Sequence, residues 1–236
     1  MENEIKEQAH EAEDASKSNK RKVVVPGEVI VSGEDFLPGE GTKRSGEDVI
    51  AIRFGLSEEV GRVVKVIPIF GTFLPRRGNV VIARVIDLTH AGWILDIDAA
   101  NSAFLSIEEY PKFVKKSEME QHLKVGDVIS AKIWSTNGRS IDLSMKGRGL
   151  SKLEGGFIFR VIPSRVPRII GREGSMINLI KDKTGCTITV GQNGWVWIKG
   201  PSTDAEIKAR KAIQFVAEKV HIGGLTEKME AWFEEN

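Results

Sequence analysis

The sequence predicts a multidomain chain, mainly β, with an α+β segment at its C-terminal end. Three observations carry this reading. Residues 23–74 hold short β-branched runs broken by Pro26-Gly27, Ser32-Gly33 and Pro38-Gly39, the pattern of brief strands and turns. Residues 75–150 hold five strand-like runs and one polar insert able to form a helix. Residues 151–236 read as strand, helix, helix, strand, strand, helix, with apolar residues changing from a two-residue to a helical period and back. The expected organisation is a tail at 1–22, a small N-terminal β-domain at 23–74, a five-stranded barrel at 75–150, and a βααββα domain with an added C-terminal helix at 151–236.

The tail alternates acids and bases and has almost nothing to bury, so it is expected to be disordered. In the small β-domain, Val49 to Phe54 and Val60 to Ile67 read as strands. Glu58-Glu59 between them reads as a solvated turn. No catalytic constellation stands out there.

In the barrel segment the strand signals are Val80 to Asp87, Trp93 to Ile97, Ala103 to Ser106, Asp127 to Trp134, and Ser140 to Ser144. The polar stretch Glu108 to Lys124 follows the third. Asn137-Gly138 joins the last two and is a strong hairpin signal. Five short strands with a helical insert after the third fit an OB barrel. A β-sandwich, the alternative, usually needs more strands.

In the last segment "FIFRVIP" is a strand, and "SRVPRII" is a short helix with Pro167 in its first turn. "SMINLIKDKT" is a helix stopped by Gly185. Two strands surround Gln192-Asn193-Gly194. Thr203-x-x-Glu206 reads as a capping box opening a helix to about Val220. Alternation puts Val196 and Ile198 on the sheet face that meets the helices and Trp195 and Trp197 on the other. Those tryptophans pack on a neighbouring domain, contact a partner protein or, least in keeping with the pattern, stack on RNA. Leu225, Met229, Trp232 and Phe233 make one stripe of a C-terminal helix that docks on its own chain or on another subunit.

Between the two helices stands Gly171-Arg172-Glu173-Gly174. A tight turn would use these glycines, and so would a phosphate clamp. Glycine lets the backbone approach phosphate oxygens, and the next helix offers N–H groups and the positive end of its dipole. From residue 160 to 183 six cations, Arg160, Arg165, Arg168, Arg172, Lys181 and Lys183, face two acids, Glu173 and Asp182. Glu173 departs from the usual basic filling of such loops and would repel a phosphate.

In this order of elements, Gly-x-x-Gly between two helices resembles the KH domain, of type I, whose loop clamps about four nucleotides. The stretches "ARVIDLTHAGWILDI", "AFLSIEE" and "LKVGDVISAKIWSTNGRSIDLSMKG" resemble the S1 RNA-binding domain, an OB-fold. That resemblance implies aromatic and basic contacts to single-stranded RNA near the second and third strands. Trp93 and Phe104 are the aromatics there, and Lys132, Arg139, Lys146 and Arg148 the cations; a plain core or subunit-contact role is the other reading of Trp93 and the preferred one for Phe104. Ser106 stands where the family commonly has histidine.

With "VVVPGEVI" and "GEGT" in the first domain, the order of small β-domain, S1 domain and KH domain resembles the KH-bearing cap subunit of the archaeal exosome. The resemblance implies a non-catalytic RNA-binding subunit that sits, three copies per ring, on RNase PH-like subunits and guides 3′ ends into them for 3′–5′ degradation. The RNA contacts so expected are Arg168, Gly171, Arg172, Gly174 and Lys181 in the KH domain and Trp93, Lys132 and Arg139 in the barrel. A free-standing single-stranded RNA-binding regulator is the alternative.

Enzyme motifs do not stand out. His10, His90, His122 and His221 lack metal-ligand spacing, and the lone Cys186 excludes an intrachain disulfide or a multi-thiolate zinc site. Asp96 and Asp98 could share a strand face, the one weak pointer to a metal-dependent nuclease. The expectation is no enzyme, no cofactor and no metal. No apolar run is long enough to span a bilayer and no secretory signal is visible, so a cytoplasmic protein without membrane contact is expected. A formal charge of +1 means that any anion affinity must come from local patches.

Overall fold

Residues 21–69, 71–137, 139–219 and 225–235 are described in the computed structural model. They fall into two units, Met1–Gly71 and Thr72–Asn236. Residues 1–20, which make up most of the expected tail, lie outside the described set. So do Gly138, Val220 and His221.

In the first unit the strands are β1 (Val23–Val24), β2 (Val29–Ser32), β3 (Leu37–Pro38), β4 (Thr42–Ser45), β5 (Asp48–Ala51), β6 (Gly55–Val60) and β7 (Val63–Pro68). One sheet runs β1-β6-β7-β3 and a second β2-β5-β4. Its core is small, centred on Val24, Ala51 and Val66 with Ile30 packed against them. Glu58 and Glu59 are in β6 rather than in a turn; the turn falls at Gly61-Arg62, because β6 and β7 stay in register from Gly55–Pro68 to Val60–Val63. Glu58 opposes Lys65 across the pair and binds it at 2.8 Å, and Arg21 binds the same carboxylate at 2.6 Å. Arg21 and Lys22, read from composition as tail, are thus held to the sheet. Lys22 and Ser57 also exchange backbone and hydroxyl hydrogen bonds.

The second unit begins with a barrel. Its strands are β8 (Val80–Thr89), β9 (Gly92–Asp96), β10 (Ala103–Ser106), β11 (Val128–Thr136) and β12 (Ile141–Ser144), with the short helix α1 (Met119–His122) between β10 and β11. The ladder closes in the order β8-β9-β10-β12-β11-β8. Only the β10–β12 pair is parallel. That is the five-stranded OB topology. Inward residues such as Val81, Val85, Leu95, Leu105, Ile129, Ile133 and Leu143 fill it, and Met119 and Leu123 close one end. Each such side chain contributes about 1.5–3 kcal/mol on burial.

The chain then forms β13 (Lys152–Leu153), which adds to the barrel beside β11, and β14 (Phe157–Arg160), α2 (Val166–Ile170), α3 (Ser175–Thr184), β15 (Thr187–Val190), β16 (Trp195–Lys199), α4 (Thr203–Glu218) and α5 (Leu225–Glu235). The βααββα order is that of a type I KH domain. Its antiparallel sheet runs β14-β16-β15. Val196, Ile198 and Ile188 face α3 and α4, where Ile180, Ala209, Ala212 and Ile213 are buried. The cap of α4 is Ser202, whose hydroxyl accepts from the Ala205 N–H at 3.2 Å, not Thr203. Glu206 accepts instead from the Gly200 N–H. Met229 and Phe233 of α5 are buried against the same core, and Trp232 lies 6.0 Å from Phe215, ring to ring. The C-terminal helix therefore docks on its own chain.

The barrel and the βααββα domain are joined by more than a linker. Trp195 and Trp197 pack with Ile82, Val128, Leu153 and Ile158. The guanidinium groups of Arg84 and Arg160 lie over the Trp195 ring, 5.5 and 5.3 Å from its centre. The β15–β16 hairpin reaches onto β8. Gln192 exchanges hydrogen bonds with Val80. The buried Asn193 accepts from the Ile82 N–H and donates to the carbonyls of Ile82 and Ile97. Of the three roles open to the two tryptophans, packing on the neighbouring domain is the one occupied. Burial raises the Asp127 carboxyl, but the Lys124 N–H and the Lys152 ammonium outweigh it and hold it below the usual carboxylate range. Lys152 is raised by the same bond to Asp127, which fixes β13 to the barrel at 2.8 Å.

Candidate nucleic-acid interface

The loop between α2 and α3 is built by backbone conformation. Gly171 has φ 75° and ψ 177°, Glu173 φ 52° and Gly174 φ 82°. The two glycines differ. A Cβ on Gly171 would sit 2.7 Å from the backbone nitrogen of Met176, whereas one on Gly174 would meet only side chains, Asn178 at 3.4 Å and Ile177 at 3.9 Å. Gly171 thus lets the loop fold onto the first turn of α3, and Gly174 keeps its outer face low. No side chain caps α3, so the dipole end and first-turn N–H groups are not covered by a capping oxygen. Glu173 holds a left-handed conformation at a cost of about 1–2 kcal/mol, and its side chain is exposed.

Around this loop Arg172 is exposed, and Arg168 and Lys181 are half-buried. All five expected contacts of this domain lie on α2, the loop or α3. Beside them, β15 is an edge strand of its sheet and contacts α3. The sequence reading did not single it out, although a strand placed after the second helix in βααββα is the signal that would have done so.

In the barrel the expected residues separate. Lys132 is exposed on the outer face of β11. Arg139 is exposed at the hairpin tip, where the Asn137 side-chain oxygen accepts from the N–H groups of Arg139 and Ser140 at 3.0 and 2.8 Å. Trp93 is a correction to the stacking expectation. It is fully buried in the barrel, its indole N–H donates to the Leu123 carbonyl at 3.1 Å, and its ring lies 5.6 Å from Tyr110. It has no face to offer a base. Alternation on β9 sends Trp93 and Leu95 inward, and Ile94 holds the outward position opposite Phe104. Phe104 is half-buried, beside Gly92. Sequence reading also missed Trp134, which is half exposed on β11.

Asp96 and Asp98, the nuclease pointer, are engaged in a turn. Asp96 accepts from the Asp98 N–H, and Asp98 pairs with Arg160 at 3.4 Å. Of the histidines, His122 lies 5.2 Å from the Tyr110 ring and His90 is exposed; His10 and His221 are outside the described residues. Among the described residues no group of three His, Cys, Asp or Glu side chains is placed to hold a metal ion, and no helix is long and apolar enough to cross a membrane.

Comparison with known proteins agrees with this geometry. A KH domain family model matches residues 156–204, which include the loop. The chain is 37% identical over 217 residues to the exosome complex component Rrp4 of Pyrococcus abyssi, covering 89% of this chain and 82% of that protein. To the component of the same name from Nitrosopumilus maritimus it is 36% identical over 217 residues, covering 90% and 95%. A crystal structure assigned as an exosome complex RNA-binding protein is 34% identical, with a TM-score of 0.61, over 70% of this chain and 97% of that one.

Proposed function

This chain belongs to the family of the exosome complex component Rrp4, and from that premise we propose that it is the RNA-binding subunit of an exosome, with no catalytic centre of its own. The observation that carries the reading is the Gly171–Gly174 loop: backbone opened by glycine, on an uncapped helix, among Arg168, Arg172 and Lys181. Phosphates would lie on the loop and first turn of α3, with the cations neutralising them. Bases would extend towards β15. Arg139 and Lys132 would engage the same strand on the barrel side. Because Trp195, Trp197 and Asn193 lock the two domains together, both contact sets are presented at a fixed spacing.

The first unit suits a different task. More than half of the large apolar side chains left exposed among the described residues are in it, including Leu37, Ile52, Phe54 and Val60. Exposed apolar surface on so small a domain fits a protein partner. That partner is the ring of RNase PH-like subunits, capped by three copies of this chain in the cytoplasm, and the 3′ end of the bound RNA is passed into the ring, where the chemistry takes place.

The test is to incubate the purified chain with single-stranded RNA and inorganic phosphate, alone and with ring subunits. Alone, it should retain RNA and release no nucleotide; with the ring, it should co-purify and RNA should shorten. Release of nucleoside diphosphates or monophosphates by the chain alone overturns the reading. A chain that binds RNA but never captures ring subunits is instead a free-standing RNA-binding regulator.

A further inference from the structure

The outer face of β11 carries an arrangement that the KH loop and the second and third barrel strands do not account for. From Lys132–Ser144 and Ile133–Leu143 the β11–β12 ladder jumps to Ser135–Asp142. Trp134 is the extra residue of this β-bulge. Bulges re-aim a side chain and are enriched next to functional sites. Here an indole is left 50% exposed beside the bulge, on the outward face it shares with Lys132, while the adjacent Ile133 is fully buried.

The charge around it is mainly positive. Lys132 lies two residues away on the same face. On the other flank the segment before β8 runs beside it: the Gly78 N–H donates to the Ile133 carbonyl at 2.7 Å and the Ile133 N–H to the Asn79 carbonyl at 2.8 Å. This brings the exposed Arg77 alongside. The hairpin following Trp134 carries Arg139, fixed by the Asn137 side chain. Neither 71–84 nor 128–141 contains an aspartate or glutamate; Asp142, opposite Ser135 at the bulge, is the one acid on the facing strand. Phe113, at 88% exposure the barest apolar side chain of the barrel, offers a contrast. Its lysines are interleaved with Glu108, Glu109, Glu118 and Glu120, so positive charge does not predominate around it.

We propose that Trp134 is a stacking platform for a base of single-stranded RNA, with Arg77, Lys132 and Arg139 holding the flanking phosphates. This rests on the RNA-binding reading above and adds a site to it, on the fourth barrel strand. An aromatic face tolerates any base, and phosphate pairing is equally blind to sequence. The platform therefore binds a passing strand without choosing it, as a subunit that feeds RNA of any sequence requires.

The test uses the full chain, a fluorescein-labelled single-stranded adenosine decamer and a salt series. Trp134→Leu keeps apolar bulk but has no π-face, and Trp134→Phe keeps a ring. Trp134→Leu should weaken binding about five- to one-hundred-fold with the salt slope unchanged, and Trp134→Phe should recover most of the loss. Arg139→Ala should instead flatten the log–log slope by about 0.7. Equal binding by Trp134→Leu and the native chain, or by the Leu and Phe variants, overturns the platform while leaving the general reading in place. Failure of the native chain to bind the decamer overturns the general reading itself. Loss of ring-subunit capture by Trp134→Leu with decamer binding intact makes this face a protein contact and also overturns the platform.

Discussion

The two units of this chain spend their apolar residues differently. The unit containing Thr72–Asn236 buries them in two deep cores, one inside the barrel and one between sheet and helices. Its surface is locally basic around the Gly171–Gly174 loop, and its exposed apolar side chains, such as Phe113 and Trp134, are spread over a much longer chain. The first unit buries only small side chains, Val24, Val49, Ala51, Val64 and Val66 among them, and leaves Leu37 and Val60 more than half exposed. A fold with so small a core gains from covering its surface with something else. The contrast motivates the proposed division into a partner-seeking unit and an RNA-holding unit.

The largest effect expected from this contrast comes from removing the first unit through Gly71. Capture of ring subunits should be abolished while binding of single-stranded RNA by the remainder stays within about two-fold of native, read by pull-down and by fluorescence anisotropy. Retained capture would place docking on the second unit and dissolve the division.

The next effect concerns the seam inside the second unit. Asn193→Ala removes three buried hydrogen bonds at once and strands the backbone groups of Ile82 and Ile97. A cost of about 2–4 kcal/mol follows, or roughly 5–10 °C in melting temperature. A melting curve unchanged from native would show that water replaces the side chain and that the domains are not locked.

Substitutions in the Gly171–Gly174 loop should separate fold from binding. Gly174→Asp puts a charge where phosphate approaches, at a φ that aspartate tolerates better than most. RNA affinity should fall about ten-fold with native circular dichroism. Unchanged affinity would reduce the loop to a turn. Gly171→Ala, by contrast, collides with the Met176 backbone and should destabilise the domain. Glu173→Lys should tighten RNA binding and steepen its salt dependence; weaker binding would mean that the carboxylate contacts the RNA.

The smallest effect is confined to the first unit. Hydrogen bonds from Lys65 and then Arg21 hold the Glu58 carboxyl below its ordinary value of 4.5. A lowered folded-state pKa stabilises the native state above the ordinary value, and that contribution is lost as pH falls through the folded one. Melting of the first unit should therefore become easier below about pH 4.5, and Glu58→Gln should blunt that acid sensitivity. Equal acid sensitivity in the variant would put the titrating group elsewhere.

Much of this was legible in one sequence, for reasons that can be named. The barrel strands announced themselves because each alternates or runs apolar between clear breakers, and the βααββα order because Gly171, Gly174 and Gly185 punctuate it. Trp195 and Trp197 were read correctly because alternation alone separates them from Val196 and Ile198. Trp93 resisted because the residues on either side of it are apolar enough to fit either register, and only the ladder to Leu105 decides which face turns inward. Trp134 was passed over although alternation turns it outward with Lys132, because aromatic RNA contacts were expected near the second and third strands and not on the fourth. Glu58 misled because two adjacent acids resemble a solvated turn until the Lys65 opposite them is known. The α4 cap slipped by one residue because Ser202 and Thr203 are both competent caps.

The division of labour is tested most directly by crosslinking the assembled complex. The intact chain, bound to ring subunits and to a photoreactive single-stranded RNA, would be irradiated and its crosslinked peptides identified by mass spectrometry. RNA adducts should fall in 132–139 and 168–181, and protein crosslinks to the ring in 23–71. RNA adducts concentrated in 23–71, with ring crosslinks on the Gly171–Gly174 loop, would contradict it.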